Sequence, residues 1–505
     1  MWFDDRMRRL GTIGIVVLAV ALLIAPASAQ QRGRGRGQTS APAPPPLDRS
    51  KVPPPGKPPA LVVPTWTEMA LANGADLYVS EKRDLPLVSC SVTFMGGADQ
   101  FETADRRGLA SFVASMMSEG TSSRDGEALS NALQLLGTSI QVSIGAESGG
   151  LSFQSTTARF QKTLDVLVDM MVNPVFPDEA LERLRAQRLV ALAQAKSQSG
   201  AIAGRAFPRL LYGPAHPYGQ PVTEATVSAI TRDDIVTFHG TYFRPSRALV
   251  TIVGDVDTGT IKATIDKAFA PWPKGGARTP FAYPPLPERH ATAIYLIDLP
   301  GAAQSTFAIG LPGPPRSTPD FYALQVMNTI LGGFFQSRLN MNIREAKGYS
   351  YGVSSSFAFG RGPGAFRAGG DVVSAKTDAA LIEFMKELRG MSGTRPVTDA
   401  ELTAAKTSLV QRLPGTFGSV ASIGNALTTI WTQDLPVDYY HSYANRINGV
   451  TQADVVRVAK QYLDLDHLAI VIVGDRATIE TPLRATNIAP VIPTDADGVP
   501  LSGSK

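Results

Sequence analysis

The sequence holds one cysteine, Cys90, among 505 residues, which excludes an intramolecular disulfide in any compartment. Cys90 sits in VSCSVTF, where Val88, Cys90, Val92 and Phe94 alternate with polar neighbours at the strand period, so the thiol is expected on a core face. Long hydrophobic runs are also missing. The fullest one, GIVVLAVALLIA, is about a dozen residues, short of the roughly 20 that span a bilayer. Excess charge of one sign is missing too: the formal balance is +4, which excludes the basic footprint of a nucleic-acid-binding protein. The five histidines, His216, His239, His290, His441 and His467, are scattered singly and read as structural groups. Between Arg183 and Arg205 there is no Asp or Glu at all.

What is present begins with a basic start (Arg6, Arg8, Arg9), the short apolar run and Ala27-Ser28-Ala29. That order predicts a secretory signal peptide over residues 1–29, hence a soluble, exported, periplasmic mature chain with no membrane span. Residues 30–60 are rich in Arg, Gly and Pro and predict an extended linker, with RGRGRG from Arg32 as solvated spacer rather than an RNA-binding tract. A second proline-rich passage over 271–290 divides the remainder almost in half. The expected units are a domain over 61–270, a domain over 291–484 and a tail over 485–505.

The two halves repeat each other. ITRDDIVTFHGTYFRPSRALVTIVGD from Ile230 and VTQADVVRVAKQYLDLDHLAIVIVGD from Val450 place a capping Thr, an amphipathic helix, a turn and an apolar strand ending in Gly-Asp in the same order, 220 positions apart. FPDEALERLRAQRLVALAQAK and VTDAELTAAKTSLVQRL pair loosely as helices with acids in the first turn. SIQVSIG and GLSFQST alternate as antiparallel strands with one covered face. The fold class expected is α+β: two homologous domains, each an antiparallel sheet with helices on one face.

Within RRGLASFVASMMSEGTSS, the residues Gly108-Leu109-Ala110, Phe112, Met116 and Gly120-Thr121 resemble the frame of the pitrilysin/insulinase metallopeptidases. In that family an inverted H-x-x-E-H motif binds zinc through two histidines on one helical face, and the glutamate between them activates water. Here the resemblance places Ser111, Ala114 and Ser115 at those positions. The family's third ligand, a glutamate about 77 residues after the second histidine, falls near Leu192. None of the four can do the job, so no metal is expected in this chain.

The second half carries ILGGFFQSRLNMNIREAKGYSYGVSSS, which resembles the family's C-terminal signature. The resemblance implies that an arginine and a tyrosine seven residues later face the zinc across a closed chamber, and Arg344 and Tyr351 have that spacing. A Tyr hydroxyl can donate to a developing oxyanion and a guanidinium can hold a substrate carbonyl or carboxylate. Alternatively, Tyr349 and Tyr351 alternate on an edge strand while Arg344 pairs with Glu345 or solvent. The family's two-domain bacterial branch works as dimers. This implies a zinc-less subunit that supplies Arg344 and Tyr351 in trans to a zinc-bearing paralogous partner for peptide hydrolysis, with zinc in the partner. A non-catalytic structural or peptide-binding scaffold is the alternative. The stretch FAFGRGPGAFRAGGD lacks a Walker lysine and reads as a mobile hairpin rather than a phosphate cradle.

Overall fold

The structure, a computed structural model, describes residues 61–275 and 280–501. The signal peptide read over 1–29 and the linker over 30–60 lie outside the described residues. Two six-stranded sheets organise the chain. The first holds β1 (Thr67–Ala70), β2 (Asp76–Glu81), β3 (Leu87–Met95), β4 (Gln141–Ile144), β5 (Ser148–Thr156) and β6 (Ala248–Gly254), in the order β1-β2-β6-β3-β5-β4. The second holds β7 (Ala293–Asp298), β8 (Gln304–Pro312), β9 (Ser350–Phe357), β10 (Ala365–Val373), β11 (Ala469–Gly474) and β12 (Val491–Thr494), in the order β12-β7-β11-β8-β10-β9.

Laid side by side, β2, β6, β3, β5 and β4 correspond to β7, β11, β8, β10 and β9. The sequence repeat is therefore a repeat of topology. Both sheets are mixed rather than purely antiparallel, because β2 runs parallel to β6 and β7 to β11. Each such pair is joined through the rest of its own half, and a long crossover permits parallel pairing. The outermost strands differ: β1 pairs antiparallel with β2, whereas β12 pairs parallel with β7. Residues 485–505, expected as a tail, thus supply an edge strand to the second sheet.

The first half contributes α1 (Leu109–Met116), α2 (Phe160–Val172), α3 (Asp178–Ala195), α4 (Ser199–Tyr212) and α5 (Arg232–Tyr242). The second contributes α6 (Phe321–Asn328), α7 (Thr377–Arg389), α8 (Val420–Thr432) and α9 (Gln452–Tyr462). The repeated threonines do the same work in each copy. Thr231 caps α5 in a reciprocal pair with Asp234, and Thr451 caps α9 with Asp454. Cys90 is buried in β3, where desolvation pushes its thiol far above the usual range.

Each sheet packs its own helices on one face, Phe94, Val250, Ile252 and Leu164 meeting in the first half and Ile470, Ile472, Phe307 and Phe384 in the second. Such fully buried side chains stabilise by about 1.5–3 kcal/mol each. The opposite faces are covered as well, against the expectation of one covered face. Ile202, Ala203, Ala206 and Phe207 of α4 reach across to Tyr295, Ala308, Val471 and Val473 of the second sheet. Val420, Ile423 and Leu427 of α8 reach back to Val253 of the first, and Trp431 to Leu249 and Met95. Each half covers the other's sheet with one helix, which is why ALVTIVG and AIVIVG are buried throughout rather than at alternate positions.

Candidate functional site

Helix α1 begins at Gly108, whose φ of 102° puts it in the left-handed region. The Glu102 carboxylate accepts from the Gly108 and Ala110 amides at 3.2 and 2.6 Å, so an acid neutralises the positive end of the helix. Burial raises the Glu102 carboxyl, against the pull of those amides and of Arg107, whose guanidinium lies 3.4 Å away. From this start the helix buries Leu109, Phe112, Val113, Ala114 and Met116, leaving Ser111 half-buried and Ser115 exposed.

The hollow against α1 has a volume of about 280 Å³ and is lined by Ser111 and Ser115 together with Leu184, Gln187, Arg188 and Ala191 of α3. Leu192, expected there, instead packs part-buried against the first-half core. On α3 the face turned to α1 is Leu184, Arg188 and Ala191, spaced four and three apart, and Leu192 lies one residue off it. Arg188 Nη2 donates to Ser111 Oγ at 3.1 Å, and Ser115 Oγ donates to the Ser111 carbonyl at 2.9 Å. Two hydroxyls, an amide, a guanidinium and apolar side chains do not fit zinc: none is a good ligand, and Arg188 is itself a fixed cation. Among the described residues no group of three His, Cys, Asp or Glu is placed to hold a metal ion.

Ser111 and Arg188 also line a larger cavity of about 950 Å³, which extends to Asp99, Arg107, Glu147 and Gly360. Glu147 lies in the turn between β4 and β5, and the Gly-rich hairpin between β9 and β10 comes to it. The Arg361 and Gly362 amides donate to Glu147 at 2.8 and 3.0 Å, and the Tyr218 and Tyr283 hydroxyls at 2.8 and 3.0 Å. Arg361 further donates to the Thr432 carbonyl and pairs with Asp434, each at 2.7 Å. The stretch read as a mobile hairpin is a hairpin, but one pinned to the opposite half. Tyr283 comes from the proline-rich connection between the halves, and its hydroxyl also lies 3.2 Å from Asp99. Burial pushes Asp99 up to about 6, opposed by Arg107.

The histidines are structural where their contacts are described. His216 is buried in a stack with Tyr212 and Tyr283, its Nδ1 accepts from the Tyr218 amide, and burial lowers its pKa. His239 Nε2 lies 2.9 Å from the Met171 carbonyl, and His467 pairs with Asp464.

Arg344 and Tyr351 lie elsewhere. Arg344 is on a π-helical turn, Asn340–Ala346, with its guanidinium 4.8 Å from the Phe335 ring centre and 3.2 Å from Glu345. Tyr351 is on the edge strand β9, where the register with β10 gains one residue between Ser350 and Val353. The bulge leaves Tyr351 88% exposed. No hydrogen bond joins the two side chains, and neither lines the cavity that holds Ser111 and Arg188. The edge-strand arrangement, with Arg344 on Glu345, is the one seen in this chain. The sequence reading missed Arg188 and Glu147. The acid-free stretch from Arg183 was a signal for the first, and nothing local marked the second.

Two topologically equivalent halves around one chamber, with the frame of a metallopeptidase helix but not its ligands, define a peptidase-like protein of degenerate metal site. The model described as Insulinase (Peptidase family M16) matches residues 78–207, and that described as Peptidase M16 inactive domain matches 229–409. The chain belongs to peptidase family M16. It is similar to an uncharacterized zinc protease of Mycobacterium leprae, 27% identical over 64% of this chain and 74% of that one. It is also similar to the non-peptidase homolog YmxG of Helicobacter pylori, 21% identical over 82% of this chain and 94% of that one. Among solved structures, a peptidase M16 inactive domain from Pseudomonas fluorescens aligns with a TM-score of 0.74 and 25% identity, covering 81% of this chain and 98% of that one.

Proposed function

We propose that this chain is the zinc-less subunit of an exported, periplasmic M16 peptidase of two unlike subunits. It holds no catalytic zinc itself and presents Arg344 and Tyr351 to the zinc site of a paralogous partner, where peptide is hydrolysed. The observation that carries this is the exposure of Tyr351. A bulge turns an aromatic out on an edge strand, and the preceding segment adds Arg344 over the Phe335 ring and two further exposed apolar groups, Phe335 at 55% and Met341 at 43%. An uncovered aromatic, Met and Arg cluster is the composition of an interface core. In the complex Tyr351 donates its phenolic proton to the oxyanion formed at the scissile carbonyl, and Arg344 leaves Glu345 to hold a substrate carbonyl in register.

Co-expression with a zinc-bearing M16 relative, followed by size exclusion, zinc analysis and peptide hydrolysis, tests the proposal. A 1:1 complex with one zinc and activity absent from either chain alone is expected. Lasting monomers, or one zinc retained by this chain in isolation, would defeat it. The second reading, a non-catalytic scaffold, is favoured by the Arg344–Glu345 pair and by the likeness to a non-peptidase homolog. It predicts a complex whose activity is indifferent to both residues.

A further inference from the structure

The position that holds a metal in active relatives is here built around a guanidinium. Arg188 sits where the two cavities meet, since it lines both with Ser111. Its only described hydrogen bond is to a neutral hydroxyl, and among the described residues no carboxylate lies within ion-pairing distance. The other basic groups of the same acid-free stretch are differently placed: Arg183 pairs with Glu119, Arg185 is satisfied by the Val227 and Ile230 carbonyls, Lys196 by Glu224 and Arg205 by Asp497. An exposed guanidinium with free N–H groups, walled by a cavity, is a fork for a planar anion.

The carboxylates of the larger cavity do not compete for it. Glu102 is engaged by Arg107 and two amides, Glu147 by four donors and Asp99 by Tyr283. Beside Arg188 the cavity carries apolar walls from Ile144, Pro208 and Val222. It also reaches Ile144 at the end of β4, the last strand of its sheet, beyond which the Gly145 and Ala146 carbonyls are already taken by the Ala98 and Asp99 amides.

We propose that Arg188, held in place by the Ser111 hydroxyl, whose own proton goes to the Gly108 carbonyl, forms a carboxylate site that takes the free C-terminus of an extended peptide lying in the chamber. The site is independent of the pairing proposed above, because it needs neither Tyr351 nor a zinc-bearing partner. A charge-assisted, two-pronged contact is expected to favour a carboxylate over the matching amide by about 10-fold or more.

The test uses the purified mature chain and a fluorescein-labelled pool of ten-residue peptides with randomised interiors, made with either a free or an amidated C-terminus. Anisotropy should show the free-acid pool binding about 10-fold tighter. Arg188→Ala should erase that preference, Arg188→Lys should keep part of it, and Ser111→Ala should weaken it by a smaller factor. Because Arg188 is exposed, unchanged thermal melting confirms that each variant is folded. Unlabelled acetate and succinate separate a peptide from a small free acid, and should displace the pool only at concentrations far above that of the peptide. Equal binding of the two pools, no binding of either, a preference that survives Arg188→Ala, or displacement by succinate as readily as by peptide would each overturn the proposal.

Discussion

Replacing Glu147 by alanine removes the acceptor through which the two halves meet at the chamber. Four donors lose their partner: the Tyr218 and Tyr283 hydroxyls and the Arg361 and Gly362 amides. They do not lose equally. Tyr283 keeps Asp99 at 3.2 Å, and Arg361 is exposed, so its amide can turn to water. Tyr218 is half-buried and also lies against the Tyr283 hydroxyl, so the buried Gly362 amide is the donor left without recourse, and an unsatisfied buried donor costs about 1–3 kcal/mol. That cost of about 1–3 kcal/mol is a sizeable fraction of a typical domain's stability. Glu147→Gln should cost less, because its carbonyl can still serve both phenols and the Gly362 amide, which share Oε1, while its amide group faces only the Arg361 N–H on Oε2. Thermal unfolding should fall by about 2–6 °C for the alanine variant. Hydrogen exchange should rise first at residues 358–364 and 280–283. A variant that melts with the wild type, or melts early while the hairpin stays protected, would refute the clamp.

Further expectations concern buried charge. Burial holds the Asp99 carboxyl at about 6 in the fold, so its contribution to stability is full below about pH 4 and is lost as pH rises through about 6. Below that point a protonated Asp99 can donate to the Tyr283 oxygen while the phenol donates to Glu147. Asp99→Asn should therefore flatten the urea midpoint between about pH 4 and 6, and an unchanged slope would contradict the assignment. In the second half Arg338 is buried and bidentate on Glu401, with two more bonds to the Arg395 and Pro396 carbonyls. Arg338→Met should cost about 3–5 kcal/mol by leaving those acceptors unpaired. Although burial opposes it, Arg338 holds Glu401 down at about 2. That stabilisation is present above the unfolded carboxyl range and fades as pH falls towards 2, and Glu401→Gln should remove this part of the acid dependence.

How far the sequence carried these conclusions depended on the range of the signal. Thr231 and Thr451 announced their helices because a cap acts within three residues, and Cys90 announced a core strand because alternation is local. The repeat gave two equal halves. Strand order within each half was not legible, since parallel pairing of β2 with β6 joins residues far apart in the chain. The exchange of α4 and α8 was half legible: AIVIVG, and ALVTIVG but for Thr251, carry no alternation of polar residues, which points to cover on both faces, but no periodicity says which helix supplies it. Ser111 and Ser115 line the hollow beside α1, whereas Ala114 between them is buried. Leu192 did not face the hollow, because one residue of drift turns a helical side chain by about 100°. Glu147 looked like any turn residue until the other half was packed against it.

The central claim is that the second half retains working chemistry although the first has lost its metal ligands. In the complex with a zinc-bearing relative, Tyr351→Phe removes one oxyanion donor and should lower kcat by about 10²–10³ with assembly unchanged. Tyr349→Phe, two residues away and part-buried near Lys376, is the control and should be nearly silent. A Tyr351→Phe complex that forms normally and turns over peptide at the wild-type rate would contradict the account and leave this chain a scaffold.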